Sequence, residues 1–223
     1  MKIFGFLFQS SIGKKIMMSL TGLFLISFLL VHCGVNAMIF FNDGGEIFNE
    51  AAEFMGTNWL IRTIEVGLFV FLLIHIIQGL YLWNDNAKKR KEKYGKTAGN
   101  ANSTWYSRSM GLLGTLLLLF LIIHLRHFWV ISRFTDVVTG GEQTLYEMMK
   151  EVFAEPWVVA AYVLGCISLA YHLMHGFQSA FQSLGINHPL YTPLIQQIGN
   201  GFAIVVSVLF AAMPVAMHFN IVQ

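Results

Sequence analysis

Five long runs of apolar residues, separated by polar connections, dominate the sequence. They cover residues 16–41, 59–83, 110–131, 157–181 and 194–218. Each run is near or above the about 20 residues that a helix needs to cross the hydrocarbon of a membrane. Tryptophans near the ends of the runs suit the membrane–water interface. The pattern predicts an all-α polytopic membrane protein, with five transmembrane helices in a bundle and one membrane-integral domain over residues 1–223.

The composition agrees with this pattern. Hydrophobic residues make up 56% of the chain and charged residues 12%, against roughly 25% charged residues in soluble domains. The two cysteines, Cys33 and Cys166, lie within apolar runs and neither is part of a CxxC motif. A disulfide framework or a zinc site is therefore not expected. The net charge of +2 is uninformative, and we expect lipid, not nucleic acid, around the chain.

The distribution of basic residues predicts the orientation in the membrane. The connections after the first and third runs are acidic, whereas the basic residues cluster in the N-terminal segment and the second connection. These basic residues are Lys2, Lys14, Lys15, Lys88, Lys89, Arg90, Lys91, Lys93, Lys96 and Arg108. By the positive-inside rule, the N-terminus is cytoplasmic and the C-terminus lies outside.

The first apolar run is expected to be a retained span. The lysines Lys14 and Lys15 before it resemble the start of a signal peptide, but the run continues past Ala37 into "MIFF", which favours a membrane helix. The preceding "KIFGFLFQ" is expected to lie along the cytoplasmic interface as an amphipathic segment.

The histidines are the candidate chemistry. Six of the eight lie within or near the ends of the first four spans: His32, His75, His124, His127, His172 and His175. A polar group in hydrocarbon is costly unless it has a partner, so an intramembrane histidine indicates a functional site. The alternative for any one of them is a hydrogen bond between helices. One histidine on each of four successive spans weakens that alternative. His188 and His218 are expected at the interface, without chemistry.

The helical rise sorts these histidines into two layers. At about 1.5 Å per residue, His32 and His124 lie in an outer layer, and His75 and His172 lie in an inner layer. The neighbours at i+3, His127 and His175, also remain candidates on spacing alone.

Two histidines at one depth on different helices fit a six-coordinate haem, because the porphyrin supplies four nitrogens and each imidazole supplies one axial bond. The pattern predicts two haems stacked across the membrane. Gly79 and Gly176 each follow an inner histidine by four residues, which places them on the same helix face and leaves room for a ring edge. The sequence has no ferredoxin-like cysteine motif and no GxGxxG motif with an acidic partner. Iron–sulfur and flavin centres are therefore expected in partner subunits, with a quinone as the small carrier.

At this point the sequence resembles the cytochrome b subunit of succinate:quinone oxidoreductases, in the single-chain, two-haem branch shared with fumarate reductases. The resemblance covers most of the chain. Its segments are "TGLFLISFLLVHCGVN", "FNEAAEFM", "IHIIQGLY", "GTLLLLFLIIHL" and "YHLMHGFQSAFQSLG".

The resemblance implies a residue assignment. It makes His32 and His124 the ligands of the outer haem iron, and His75 and His172 those of the inner haem iron. It thereby excludes His127 and His175 as ligands. Ser19 matches a polar contact to a haem propionate, and Asn36 matches an asparagine that follows the first ligand.

The resemblance also implies the cellular role: a membrane anchor, without a catalytic residue of its own, for a flavoprotein and an iron–sulfur subunit on the cytoplasmic side. The cofactors are two haems b, and the outer haem exchanges electrons with menaquinone. The expected location is the bacterial cytoplasmic (inner) membrane.

The proton chemistry at the quinone is less well defined. Some fumarate reductases of this branch carry a glutamate two residues before the fourth ligand, where this chain has Ala170. An acid near the outer haem is therefore expected elsewhere, with Glu53 favoured over Glu50 and Glu65. Candidate quinone contacts are Glu53, Asn36 and His127.

Two other functions fit parts of the pattern. A cytochrome b subunit of a hydrogenase or formate dehydrogenase also has several transmembrane histidines, but it differs in motif order and lacks the "FNEAAEFM" stretch. A proton or metal transporter could use histidines as relays. It is disfavoured because carboxylates near the deep histidines are scarce and no inverted repeat is evident.

Overall fold

The described part of the chain consists almost entirely of helices joined by short connections. The computed structural model describes residues 10–89 and 105–222, and this part contains no β-strand. The α-helices are α1 (Ser11–Asn36), α2 (Glu46–Thr57), α3 (Trp59–Lys89), α4 (Trp105–Arg108), α5 (Met110–His124), α6 (Ile131–Phe134), α7 (Asp136–Thr139), α8 (Leu145–Ala154), α9 (Pro156–Ser183) and α10 (Thr192–His218). The all-α prediction is confirmed. The predicted "KIFGFLFQ" interfacial segment and the basic residues Arg90 to Lys96 lie outside the described residues.

Within residues 10–89 and 105–222, five helical stretches are long and apolar enough to cross a membrane, as predicted. They run over Ser11–Phe41, Trp59–Asn86, Met110–Phe134, Pro156–Ser183 and Thr192–His218, and we number these spans one to five. The first span begins earlier than hydropathy predicts because Ser10 caps the helix, its Oγ accepting a hydrogen bond from Gly13 N at 2.9 Å. Lys14 and Lys15 thus lie inside the helix.

The third span changes its winding directly after a histidine. It is α-helical to His124, π-helical over Leu125–Val130 and α-helical again over Ile131–Phe134. Single π turns inside α-helices often occur at functional sites. The span therefore reaches Phe134, beyond the predicted end at residue 131.

The helices α2 and α8 cap one end of the bundle. The connections that contain them were expected only as polar loops, but each forms an amphipathic helix that packs its apolar face on the spans. The buried core of the described residues lies at this end and includes Ile39, Phe48, Tyr146, Phe153 and Met217. We call it the α2–α8 end. Spans two and four begin there, and spans one, three and five end there.

A capping box sets the start of α8. The Thr144 hydroxyl accepts a hydrogen bond from Glu147 N at 3.2 Å, and Glu147 Oε2 accepts one from Thr144 N at 2.8 Å and one from the Thr144 hydroxyl at 3.0 Å. The two bonds that Glu147 accepts lower its pKa below the ordinary value of 4.5, and the bond from the Thr144 backbone N–H has the larger effect. Because the folded pKa is the lower one, this stabilisation is complete above pH 4.5 and disappears as the pH falls through the folded pKa.

We expect Thr144→Ala to raise the Glu147 pKa part of the way back to 4.5, because the hydroxyl bond is lost while the backbone bond remains. It should also lower the free energy of opening the first turn of α8 by about 1 kcal/mol, the typical cost of losing an N-cap side chain. Carboxyl chemical shifts followed over pH in detergent give the pKa, and amide exchange of Glu147 and Met148 gives the loosening. Thr144→Ser keeps both bonds and should match the wild type. If Thr144→Ala leaves both measurements unchanged, the hydroxyl does not cap α8.

Candidate functional site

Spans two and four bring His75 and His172 together. His75 lies 16 residues after Trp59, and His172 lies 16 residues after Pro156, so both are at the same depth below the α2–α8 end. Their ring centroids are 6.3 Å apart, with 70° between the ring planes. The structure thus juxtaposes the two histidines that the sequence predicts as the inner layer.

Spans one and three bring His32 and His124 together nearer the α2–α8 end. Their ring centroids are 5.8 Å apart and their planes are almost perpendicular, at 85°. This is the predicted outer layer. The two rings lie in an aromatic shell formed by Phe28, Phe120, Phe128, Tyr162 and Phe210, which keeps water from the pair.

Both pairs have the spacing that a shared metal requires. An imidazole nitrogen binds a metal at about 2 Å and lies about 1 Å from its ring centre, so two rings on opposite sides of one metal have centres about 6 Å apart. The observed separations of 5.8 and 6.3 Å fit. Each pair supplies two nitrogens, which is the number that the metal of a porphyrin accepts from protein.

Two ring nitrogens of the pairs are buried without a hydrogen-bond partner: Nδ1 of His124 and Nδ1 of His172. A metal bound through Nε2 would leave Nδ1 as it is, so these two atoms do not themselves indicate a bound group. The fit to haem rests on the number of paired imidazoles and on their spacing, and in both respects the residues present fit haem.

The partner rings have neighbours on the first span. His75 Nδ1 lies 3.1 Å from Thr21 Oγ1, and His32 Nδ1 lies 3.3 Å from Asn36 Nδ2. Asn36 Nδ2 also donates to the His32 carbonyl oxygen at 2.8 Å. An amide nitrogen only donates, so this arrangement makes His32 Nδ1 an acceptor and places the ring proton on Nε2. For His32 to bind a metal through Nε2, the Asn36 amide must turn away from the ring.

The other predicted haem contacts have the following surroundings. A Cβ at Gly176 would meet nothing within 4 Å, and one at Gly79 would meet only Met18 Cε at 3.6 Å. Gly176 therefore borders open space, whereas Gly79 faces Met18, and the role of both glycines in admitting a ring edge stays a prediction. Ser19 is buried, and its hydroxyl donates to the Lys15 carbonyl oxygen at 2.9 Å. Its contact with a propionate also stays a prediction.

His127 and His175, the neighbours at i+3, have different surroundings from each other. His127 stacks on Tyr162, with 6° between the planes and 3.3 Å from Nδ1 to the phenol oxygen. The π turn that follows His124 contains His127 and places it against span four. His175 is half-buried one turn beyond His172.

The acids expected near the quinone occupy different surroundings. Glu53 is exposed on α2, at the α2–α8 end. Glu65 belongs to a polar cluster between spans two and three: its carboxylate accepts from Trp129 Nε1 at 2.6 Å and from Arg133 Nη2 at 3.4 Å, and it pairs with Arg62. Glu65 therefore has a structural role in joining the two spans.

Three features of the site are missing from the sequence prediction: Thr21 beside His75, the cluster around Glu65, and Tyr162 between His124 and His127. Thr21 and His75 are 54 positions apart, and Trp129 and Glu65 are 64 apart. Such contacts depend on how helices rotate about their axes, and no local pattern reports that rotation. The capping box of α8, in contrast, has a sequence signature.

Comparison with known proteins supplies a relative. No family model and no solved structure matches the chain. A curated protein, the succinate dehydrogenase cytochrome b558 subunit of Bacillus subtilis (strain 168), is 25% identical over 182 residues, which cover 81% of this chain and 82% of that protein. The match extends over most of both chains. Over most of its length, the chain is therefore similar to a cytochrome b subunit of a succinate dehydrogenase.

Proposed function

We propose that the chain is a two-haem membrane anchor that passes electrons between a cytoplasmic iron–sulfur subunit and a membrane quinone. The observation that carries this proposal is the pairing of four histidines from four spans into two layers, with ring separations of 5.8 and 6.3 Å. His32 and His124 hold the outer haem b, and His75 and His172 hold the inner one. The name of the Bacillus relative supports the haem type and the complex.

Haem, when bound, supplies reversible one-electron transfer. The chain's own residues bind, orient and shield it. The paired imidazoles fix its position between spans, and the aromatic shell around His124 excludes water, which lowers the local polarity. Two such sites at different depths form a path for electrons across the bundle.

The inner site faces the end of the bundle where span one begins. Lys14 and Lys15 lie at this end, and Lys14 Nζ sits 4.2 Å from the centre of the Tyr81 ring on span two. Lys88 lies two residues after the last residue of span two, in the same helix and at the same end of the bundle. Under the positive-inside rule this end is cytoplasmic, and the iron–sulfur and flavoprotein subunits dock there. The C-terminus then lies outside.

The quinone site is at the α2–α8 end, near the His32–His124 pair. Menaquinone is the quinone that the family resemblance favours. Asn36, Glu53 and His127 supply polar groups at this end, on span one, α2 and span three. His127 and Glu53 are the groups of this set that exchange protons, which quinone reduction consumes.

Reduced-minus-oxidised and pyridine haemochrome spectra of the purified membrane complex test this function. We expect haem b bands and two haems per copy of this chain, with midpoint potentials that resolve into two components. Reduction of both components by succinate, in the complex with its partner subunits, tests the electron path. A preparation with no haem bands, or with a single haem per chain, would contradict the proposal.

A further inference from the structure

Thr21 forms a contact with His75 that no local sequence pattern indicates. Thr21 lies on span one with 1% of its surface exposed, and its Oγ1 is 3.1 Å from His75 Nδ1. The adjacent Gly22 also borders the ring, since a Cβ there would lie 3.4 Å from His75 Cε1. The Nδ1–Cε1 edge of the ring therefore packs on the first span.

The direction of this hydrogen bond follows from the other bonds of the hydroxyl. Thr21 Oγ1 is 2.8 Å from the Met17 carbonyl oxygen and 3.1 Å from the Met18 carbonyl oxygen. Carbonyl oxygens only accept, so the single hydroxyl proton of Thr21 points to the main chain. Towards His75 the hydroxyl presents a lone pair, and the proton in that bond must belong to His75 Nδ1.

This assignment fixes the tautomer of His75. A neutral imidazole with its proton on Nδ1 has its free lone pair on Nε2, the nitrogen that can bind a metal. The other three paired rings lack this arrangement: Nδ1 has no partner in His124 and His172, and in His32 it faces an amide donor. Among the four paired histidines, His75 alone has a partner that accepts from Nδ1.

We propose that Thr21 is the positioning residue of the inner haem, holding His75 with Nε2 free and strengthening its bond to iron. The proposal rests on the proposed haem function. A ligating histidine that donates its second ring N–H to an oxygen becomes a more basic ligand. A more basic axial ligand stabilises ferric over ferrous iron, so this bond lowers the reduction potential of the inner haem.

The test compares Thr21→Val with Thr21→Ser in the purified complex. Valine keeps the shape but removes the lone pair, and serine keeps the hydroxyl. We expect Thr21→Val to weaken haem retention at the inner site by about 10- to 100-fold, the usual cost of losing such a partner. We also expect it to raise the inner-haem potential, whereas Thr21→Ser behaves as wild type. The inner haem is the redox component that His172→Ala removes, and the outer haem is the internal control.

The outcomes distinguish this inference from the proposed function. A wild-type complex without two haems overturns the haem function itself. Two haems in the wild type, with an unchanged inner-haem potential and unchanged retention in Thr21→Val, overturn only the role of Thr21. Equal shifts at both haems would also overturn it, because a general loosening of the bundle moves both sites. Should Thr21→Val fail to accumulate, Thr21→Ala removes the same lone pair without filling the space, and the same readouts decide.

Discussion

Replacing His172 by alanine is expected to remove one of two haems, whereas His175→Ala leaves both. The His172 ring faces His75 at a centroid separation of 6.3 Å. Losing the ring removes one of two axial bonds in a membrane interior where water is a poor replacement. Haem content should fall from two to one per chain, with the outer component intact. Pyridine haemochrome analysis and a redox titration measure both quantities.

His175→Ala is the matched control, since it removes the same side chain from the same span three residues later. The reciprocal variant His32→Ala should remove the outer component and retain the inner one, which assigns each component to its pair. If His175→Ala removes the inner haem and His172→Ala does not, then His175, and not His172, is the residue of span four that faces His75. Loss of both haems in His172→Ala would show instead that the two sites do not form independently.

The second large effect is expected at Gly45, where α2 begins. Its φ is +83°, and a Cβ there would lie 2.2 Å from Cγ of the Tyr146 ring. Tyr146 is buried at the start of α8, and its N–H donates to Asn49 Oδ1 on α2. A side chain at position 45 would push α2 and α8 apart. We expect Gly45→Ala to destabilise this contact by about 1–2 kcal/mol from the left-handed backbone and by about 1–3 kcal/mol from overpacking.

The neighbouring Gly44 separates these two causes. Its φ is +74°, but a Cβ there would meet nothing within 4 Å, so Gly44→Ala carries the backbone cost alone. Amide exchange in α2 and α8 should therefore be about 5- to 150-fold faster in Gly45→Ala than in Gly44→Ala, the ratio that 1–3 kcal/mol implies. Equal exchange in the two variants would show that Tyr146 moves aside at no cost. The inner haem, at the far side of the bundle, should be retained in both.

Much of the fold follows from local sequence, because hydropathy and helical rise act residue by residue. Five spans and their approximate ends follow from runs of apolar residues, and the depth of each histidine follows from its count along the helix. The same count correctly grouped His32 with His124 and His75 with His172. The choice of ligand on spans three and four came from the family resemblance, because His124 and His127 differ too little in depth for the rise to separate them.

What local sequence left out depends on contacts between helices. The partnership of Thr21 with His75 requires a particular rotation of span one against span two, which the nearly uniform apolar surface of both spans does not encode. Glu65 was a candidate acid for the quinone, yet Trp129 and Arg133 approach its carboxylate from span three. Glu53, favoured on sequence grounds, is exposed on a helix that the apolar pattern did not predict.

The π turn at Leu125–Val130 has a consequence for how this span can change during evolution. An α-helix advances about 100° per residue, and a π turn accommodates one additional residue without lengthening the helix by a full step. The π turn therefore separates two α-helical segments. The direction in which His124 points from the helix axis is set by the segment before the turn, and that of Arg133 by the segment after it. Insertion or deletion of one residue inside the turn can be absorbed as a change between π and α winding. The same change elsewhere in the span would rotate the histidine away from its partner, so single-residue gaps among relatives should concentrate in this segment.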